Sequence, residues 1–218
     1  MRILIAAMLP ALIVAPVWAQ PGETISLFNG ESLAGWDYHL GQPNVAMADV
    51  WQVDGGILKC QGRPAGYIHT LEQYENYKLV VEWRWPGRGG NNGVLVHCTD
   101  KGALGVWPKS LEVQLAADNA GDFWVIGTTI ELPADDGDPR QRIKGRRHIN
   151  LTDGTERPLG TWNTMEIECL GDMVTVKVND VVVNRAIKVS QTKGHIALQS
   201  EGTPIEFRKV ELTPLEAK

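Results

Sequence analysis

From Ile25 onward the chain is a run of short segments in which apolar and polar residues alternate. Each segment is closed by Gly, Asn, Asp or Pro, and no stretch carries the period of a helix. Strands are predicted at 25–28, 51–53, 57–61, 77–85, 93–98, 111–116, 123–129, 162–170, 173–178, 181–184, 195–200 and 205–213, with one short helical turn at 71–74. Asn179-Asp180 and Asp54-Gly55-Gly56 have the composition of tight hairpin turns. Many short strands without helices between them restrict the chain to a single all-β domain, a sandwich or barrel. The least regular part, 131–161, carries Asp135-Asp136-Gly137-Asp138 and then a basic stretch, Arg140 to His148; it reads as an insertion loop on that domain.

Met1-Arg2 leads into an apolar run, 3–17, that ends Val17-Trp18-Ala19. Pro10 and Pro16 interrupt the run, which is short for a bilayer span. It reads as a secretory signal over 1–19, leaving one domain over 20–218, exported to the periplasm or beyond and free of the membrane after cleavage. Without Arg2 the formal charge passes from −5 to −6, which argues against a nucleic-acid partner and suits a neutral or small ligand. Cys60, Cys98 and Cys169 have no CxxC spacing and read as small buried apolar residues. Asn150-Leu151-Thr152 matches an N-glycosylation acceptor. Oligomeric state is not encoded in any of these features.

Alternation also sorts side chains by face. Along 77–85, Leu79, Val81 and Trp83 share one face, and Glu82 and Arg84 lie on the other. In the same way Leu95 and His97 oppose Val94 and Val96. Glu112 and Gln114 oppose Leu111, Val113 and Leu115, and His195, Gln199 and Glu201 oppose Ile196 and Leu198. If these strands share a sheet, acids, amides and imidazoles collect on one face. An acid and an amide two residues apart, in Glu112-Val113-Gln114 and Gln199-Ser200-Glu201, suit bidentate hydrogen bonding to a polyol. The plainer alternative is a solvated sheet face laced with ion pairs such as Glu82 with Arg84. Trp107 and Trp124 lie in or beside loops, where an indole either stacks on a sugar ring or packs in an edge cluster.

Several motifs in order carry a resemblance: Ser26-Leu27-Phe28-Asn29-Gly30, Trp51-Gln52-Val53-Asp54-Gly55-Gly56, Asn91-Asn92-Gly93-Val94, Glu112-Val113-Gln114, Gly160-Thr161-Trp162-Asn163 and Gln199-Ser200-Glu201-Gly202. Taken together the chain resembles the 3-keto-disaccharide hydrolase domain family, formerly known only as a domain of unknown function. The resemblance implies a concanavalin-like jelly roll of two antiparallel sheets with a carbohydrate groove on the concave one. It also implies cleavage of 3-keto-glycosides, in which a ketone at C3 acidifies the C2 proton and allows elimination of the C1 substituent, followed by hydration. Such chemistry needs a base near C2, donors at the C3 oxygen and an acid for the leaving oxygen. The candidates are His97 or Glu112 as base and Glu201 as acid. Glu82, Arg84, Gln114, Asp122, Trp124, His195 and Gln199 are the substrate-binding candidates. No cofactor is required on this reading, with a divalent cation at the enolate as an option. The competing expectation is a noncatalytic carbohydrate-binding module on the same fold.

Overall fold

The computed structural model describes residues 22–216; the expected signal, 1–19, lies outside them. Sixteen strands form two antiparallel sheets. The first sheet contains β1 (Ile25–Ser26), β3 (Trp51–Asp54), β4 (Ile57–Cys60), β6 (Tyr77–Arg84), β12 (Asn163–Leu170), β13 (Met173–Val178), β14 (Val181–Ala186) and β16 (Ile205–Pro214). Its order is β14-β13-β12-β6-β16-β4-β3, with β1 on β16. The second contains β2 (Trp36–Leu40), β5 (Gly66–Thr70), β7 (Gly93–Cys98), β8 (Ser110–Gln114), β9 (Phe123–Ile126), β10 (Ile143–Lys144), β11 (Arg147–His148) and β15 (His195–Ser200). Its order is β10-β11-β9-β8-β7-β15-β5-β2.

The inner faces pack into one core in which Trp51, Trp83, Phe123 and Phe207 are fully buried beside Val94, Val96, Leu111, Val113, Ile196 and Leu198. Each side chain of this size adds about 1.5–3 kcal/mol when removed from water. Both anticipated hairpin turns form. Asn179 and Asp180, at φ 47° and 71°, join β13 to β14, while Gly55 and Gly56, at 58° and 78°, join β3 to β4. Two successive positive φ values match the twist of a two-residue hairpin. Cys60, Cys98 and Cys169 are buried free thiols.

Two strands escape the alternation rule. β5 reads Gly-Tyr-Ile-His-Thr, and Gly66, Tyr67, Ile68 and Thr70 are all buried, so it shows no apolar–polar contrast. β2 is an edge strand on which only Trp36 is buried. The turn at 71–74 is not helical; the short helices lie instead at α1 (Met47–Val50) and α2 (Pro139–Arg142). The 131–161 segment contributes the β10–β11 hairpin, which extends the second sheet past β9.

Candidate active site

β7, β8 and β15 are neighbours in the second sheet, so their outward side chains meet. Cross-strand register places Trp124, Glu112, Leu95, Ala197, His69 and Asp37 in one row across β9, β8, β7, β15, β5 and β2. In the next row Gln114 stands opposite Gly93, and Gln199 opposite Tyr67. The middle of this face is apolar, with Leu95, Ala197, Tyr67 and Ile126 packed under Trp107 from the β7–β8 loop. At one end the polar groups surround a cavity of about 170 Å3, lined by Glu112, Gln114, Trp124 and Glu201 together with Asn91, Trp107 and Arg146.

Glu112 is only 6% exposed. Burial, with the Glu201 carboxylate second, raises its carboxyl to about 8, against the smaller opposing effects of Gln199 and Arg146. Glu201 is also raised, by burial, with the Asn91 side chain opposing. Burial thus disfavours ionisation of both carboxyls, and the charge of Glu201 adds to that effect at Glu112. The Gln114 oxygen accepts from the backbone N–H groups of Leu115 and Ala116, both at 3.0 Å, so its amide nitrogen is the end available to a ligand. Gln199, 1% exposed, lies beside Glu112 and does not line the cavity. The Trp124 indole N–H is buried without a partner among the described residues. An unpaired buried donor is costly, and at the cavity wall it marks a place where a hydroxyl-bearing ligand supplies what the protein lacks.

Gly93 is what lets the acid and the amide close up. A methyl group there would lie 2.8 Å from Glu112 Oε1 and 2.9 Å from Gln199 Oε1. Gly93→Ala is therefore expected to push the two side chains apart and to weaken saccharide binding about tenfold in calorimetric titration, with an unchanged far-ultraviolet circular dichroism spectrum. Unchanged affinity would remove Glu112 from the binding surface.

Four of the sequence candidates are corrected. Glu82 and Arg84 do face away from the core, but from the other sheet, where Arg84 Nε donates to Glu206 at 2.6 Å and Glu82 pairs with Arg208. His97 faces inward. Cys98 pairs with His195 and Leu95 with Ala197, so β7 holds one residue more than β15 between the two pairs. This bulge puts His97 at φ 56° and reverses the phase of the strand. The imidazole lies 1% exposed against the Tyr77 ring, with Nδ1 2.8 Å from the Gln191 carbonyl oxygen, and burial lowers it to about 4. Asp122 is a brace rather than a rim ligand. Its Oδ2 accepts from Arg147 Nε at 2.6 Å and its Oδ1 from the Asn150 backbone N–H at 2.7 Å. Asn150 is itself buried, with its Nδ2 donating to the Ala120 carbonyl oxygen at 3.1 Å. The acceptor asparagine of the glycosylation motif is thus buried.

His195 does lie on the second sheet's outer face, but toward the other ends of the strands. It lines a separate cavity of about 60 Å3 with Tyr67, His69 and Cys98, and its Nδ1 lies 2.8 Å from the Thr70 carbonyl oxygen. Sequence reading passed over Arg146 and Asn91 as site residues. Arg146 sits on the β10–β11 turn, beside the cavity, and its guanidinium has no partner among the described residues. Among the described residues no group of three or more His, Cys, Asp or Glu side chains assembles a metal site.

A model of the 3-keto-alpha-glucoside-1,2-lyase-like domain matches residues 23–213. The chain belongs to that family. No curated protein matches it. Among solved structures, a candidate glycosyl hydrolase of Parabacteroides distasonis is 24% identical with a TM-score of 0.63, over 88% of this chain and 100% of that one. The carbohydrate-binding module CBM66 of Bacillus subtilis is 11% identical, with a TM-score of 0.56, over 81% and 94% of the two chains. The β-glucanase of Bacillus licheniformis is 14% identical, with a TM-score of 0.53, over 89% and 99%. At these identities the likeness is one of fold. The family member described here is a concanavalin-like jelly-roll sandwich, an architecture its neighbours use both to bind and to cleave carbohydrate.

Proposed function

We propose that the protein is an exported lyase-type hydrolase of 3-keto-glycosides, with Glu112 and Glu201 as its acid–base pair. The observation that carries this reading is the shared cavity in which both carboxyls are held above their ordinary range. A noncatalytic module needs indoles and amides but has no use for two carboxyls coupled in this way. Membership of the 3-keto-alpha-glucoside-1,2-lyase-like family supports the same reading. Export rests on the 1–19 segment.

The keto-bearing ring occupies the cavity against Trp107 and Trp124. Arg146, the Gln114 amide and the Trp124 N–H are the donors for the C3 oxygen as it gains enolate charge. Glu112, the deeper carboxyl, takes the C2 proton; a carboxylate of raised pKa is the stronger base. The C2–H electron pair passes into the enolate. It then forms the C1–C2 double bond as the C1–O bond breaks, and Glu201 protonates the leaving oxygen. Addition of water across C1 and C2 completes hydrolysis. Gln199, beside Glu112 and off the cavity wall, positions that carboxyl.

The pair is active when it holds one proton and that proton sits on Glu201, a minority arrangement because Glu112 keeps its proton to about pH 8. Activity is expected to fall above about pH 8, where the second proton is lost, and again at low pH, where both carboxyls are neutral. The test is release of the aglycone from a 3-keto-α-glucoside across pH 4–10. A bell-shaped profile is expected, with turnover reduced at least 100-fold in Glu201→Gln and binding retained. Binding of sugars without turnover of any keto-glycoside would make the protein a binding module instead.

A further inference from the structure

Glu201 faces two cavities. Besides the one it shares with Glu112, it borders an open depression of about 650 Å3 lined by Gln42, Arg63, Pro64 and Ala65. Resting on the reaction above, we infer that this depression receives the leaving group and that Arg63 selects leaving groups carrying a carboxylate. The keto ring fills the small cavity and Glu201 protonates the departing oxygen. The scissile bond then lies at the junction of the two spaces, and the aglycone projects into the larger one. Three strand spacings separate β8, which carries Glu112, from β5, where the depression begins, or about 14 Å at the usual spacing. That is room for a substituent as large as a ring beyond the one being cleaved.

The wall bearing Arg63 is built against the segment that bears Glu201. The Gly202 backbone N–H donates to the Gly62 carbonyl oxygen at 2.5 Å, and Ser200 Oγ donates to the Pro64 carbonyl oxygen at 2.9 Å. Gly62 is at φ 79°, and a Cβ there would meet the Thr203 backbone at 2.5 Å. The loop is therefore docked on both residues that flank the acid, which fixes the base of the Arg63 side chain relative to it. Other arginines are matched, Arg84 with Glu206, Arg147 with Asp122 and Arg208 with Glu82, whereas Arg146 at the keto-ring cavity is not. Arg63 has no hydrogen-bond or ion-pair partner among the described residues, and Glu201 is the only acid lining the depression. A guanidinium fork with no counter-ion recognises a planar carboxylate in two-point fashion; a neutral hydroxyl would be served by Gln42 alone.

The test compares two 3-keto-α-glucosides of matched size, one with a 4-carboxyphenyl and one with a 4-carbamoylphenyl leaving group. The expected kcat/KM ratio favours the carboxylate about fivefold at low ionic strength, shrinks with salt, falls to about one in Arg63→Gln and is partly kept in Arg63→Lys. A wild-type ratio at or below one, or a ratio that survives Arg63→Gln, overturns the inference and leaves the reaction standing. If neither compound is cleaved, the lyase reading fails by itself. The subsite is then judged by calorimetric affinities for the two unoxidised glucosides. A carboxylate preference that Arg63→Gln abolishes upholds it, and equal affinities overturn it.

Discussion

Glu112→Gln is expected to stop turnover and to make the protein more stable above neutral pH. In the folded chain the carboxyl keeps its proton to about pH 8 because burial, and then the charge of Glu201, oppose ionisation, whereas its ordinary value is 4.5. The unfolded chain releases that proton from about pH 4.5 upward. The stability tied to the neutral carboxyl is thus complete below pH 4.5 and is lost as pH rises to about 8. At about 1.4 kcal/mol per pH unit the displacement caps the loss at about 5 kcal/mol. Water reaching the cavity lowers this, and about 2–4 kcal/mol is a reasonable expectation, or roughly 5–15 °C in melting temperature for a domain of this size. A glutamine cannot ionise. The variant should therefore match wild type near pH 4.5, gain on it steadily to pH 8, and hold that gain beyond. Melting curves at pH 4.5, 6.5 and 8.5 decide it. A difference that does not grow with pH would mean that Glu112 ionises freely, and the proposed acid–base pair would go with it. Stability given up at a residue the chemistry needs is the expected signature of an active site.

Much of this site was written in the sequence, and the gaps have specific causes. Alternation placed Glu112, Gln114, Gln199 and Glu201 on the face they occupy because β8 and β15 are regular in that stretch and their inner faces are plainly apolar. The same rule misassigned Glu82 and Arg84. Period two says which face of a strand leaves the core, yet a sandwich has two such faces, and only pairing reveals that β6 belongs to the first sheet. Asp122 lies just before β9 and reads like a rim residue; its role as a brace depends on Arg147 and Asn150, which are distant in sequence. Arg146 reaches the cavity only because a two-stranded hairpin, too short to register as a pattern, folds the basic stretch along β9. The buried β5 strand hid His69 and Tyr67 in the same way, since a strand covered on both faces carries no contrast to read.

His97 is the sharpest case, and it yields the second large effect. A single extra residue in β7 turns an imidazole expected in the groove into a core residue. Its Nε2 is buried without a partner among the described residues, and burial holds the ring near 4 against an ordinary 6.5, with the Gln191 carbonyl and the Glu75 charge opposing. The folded chain therefore keeps a neutral ring where the unfolded chain takes up a proton. The associated stability is present above pH 6.5 and is lost as pH falls to about 4, by up to about 3 kcal/mol. Glu112 acts in the opposite sense over part of the same range, so the wild-type profile alone separates neither group. His97→Asn does, because asparagine tolerates the positive φ that the bulge demands and does not titrate. The variant carries a fixed packing cost at every pH; what identifies His97 is the change in slope between pH 6.5 and 4, which should flatten by about 2–3 kcal/mol. Its turnover of a 3-keto-glucoside at pH 7 should stay within about twofold of wild type. A 100-fold fall in kcat with unaltered acid stability would return the imidazole to the chemistry and remove the bulge as the reason for its exclusion.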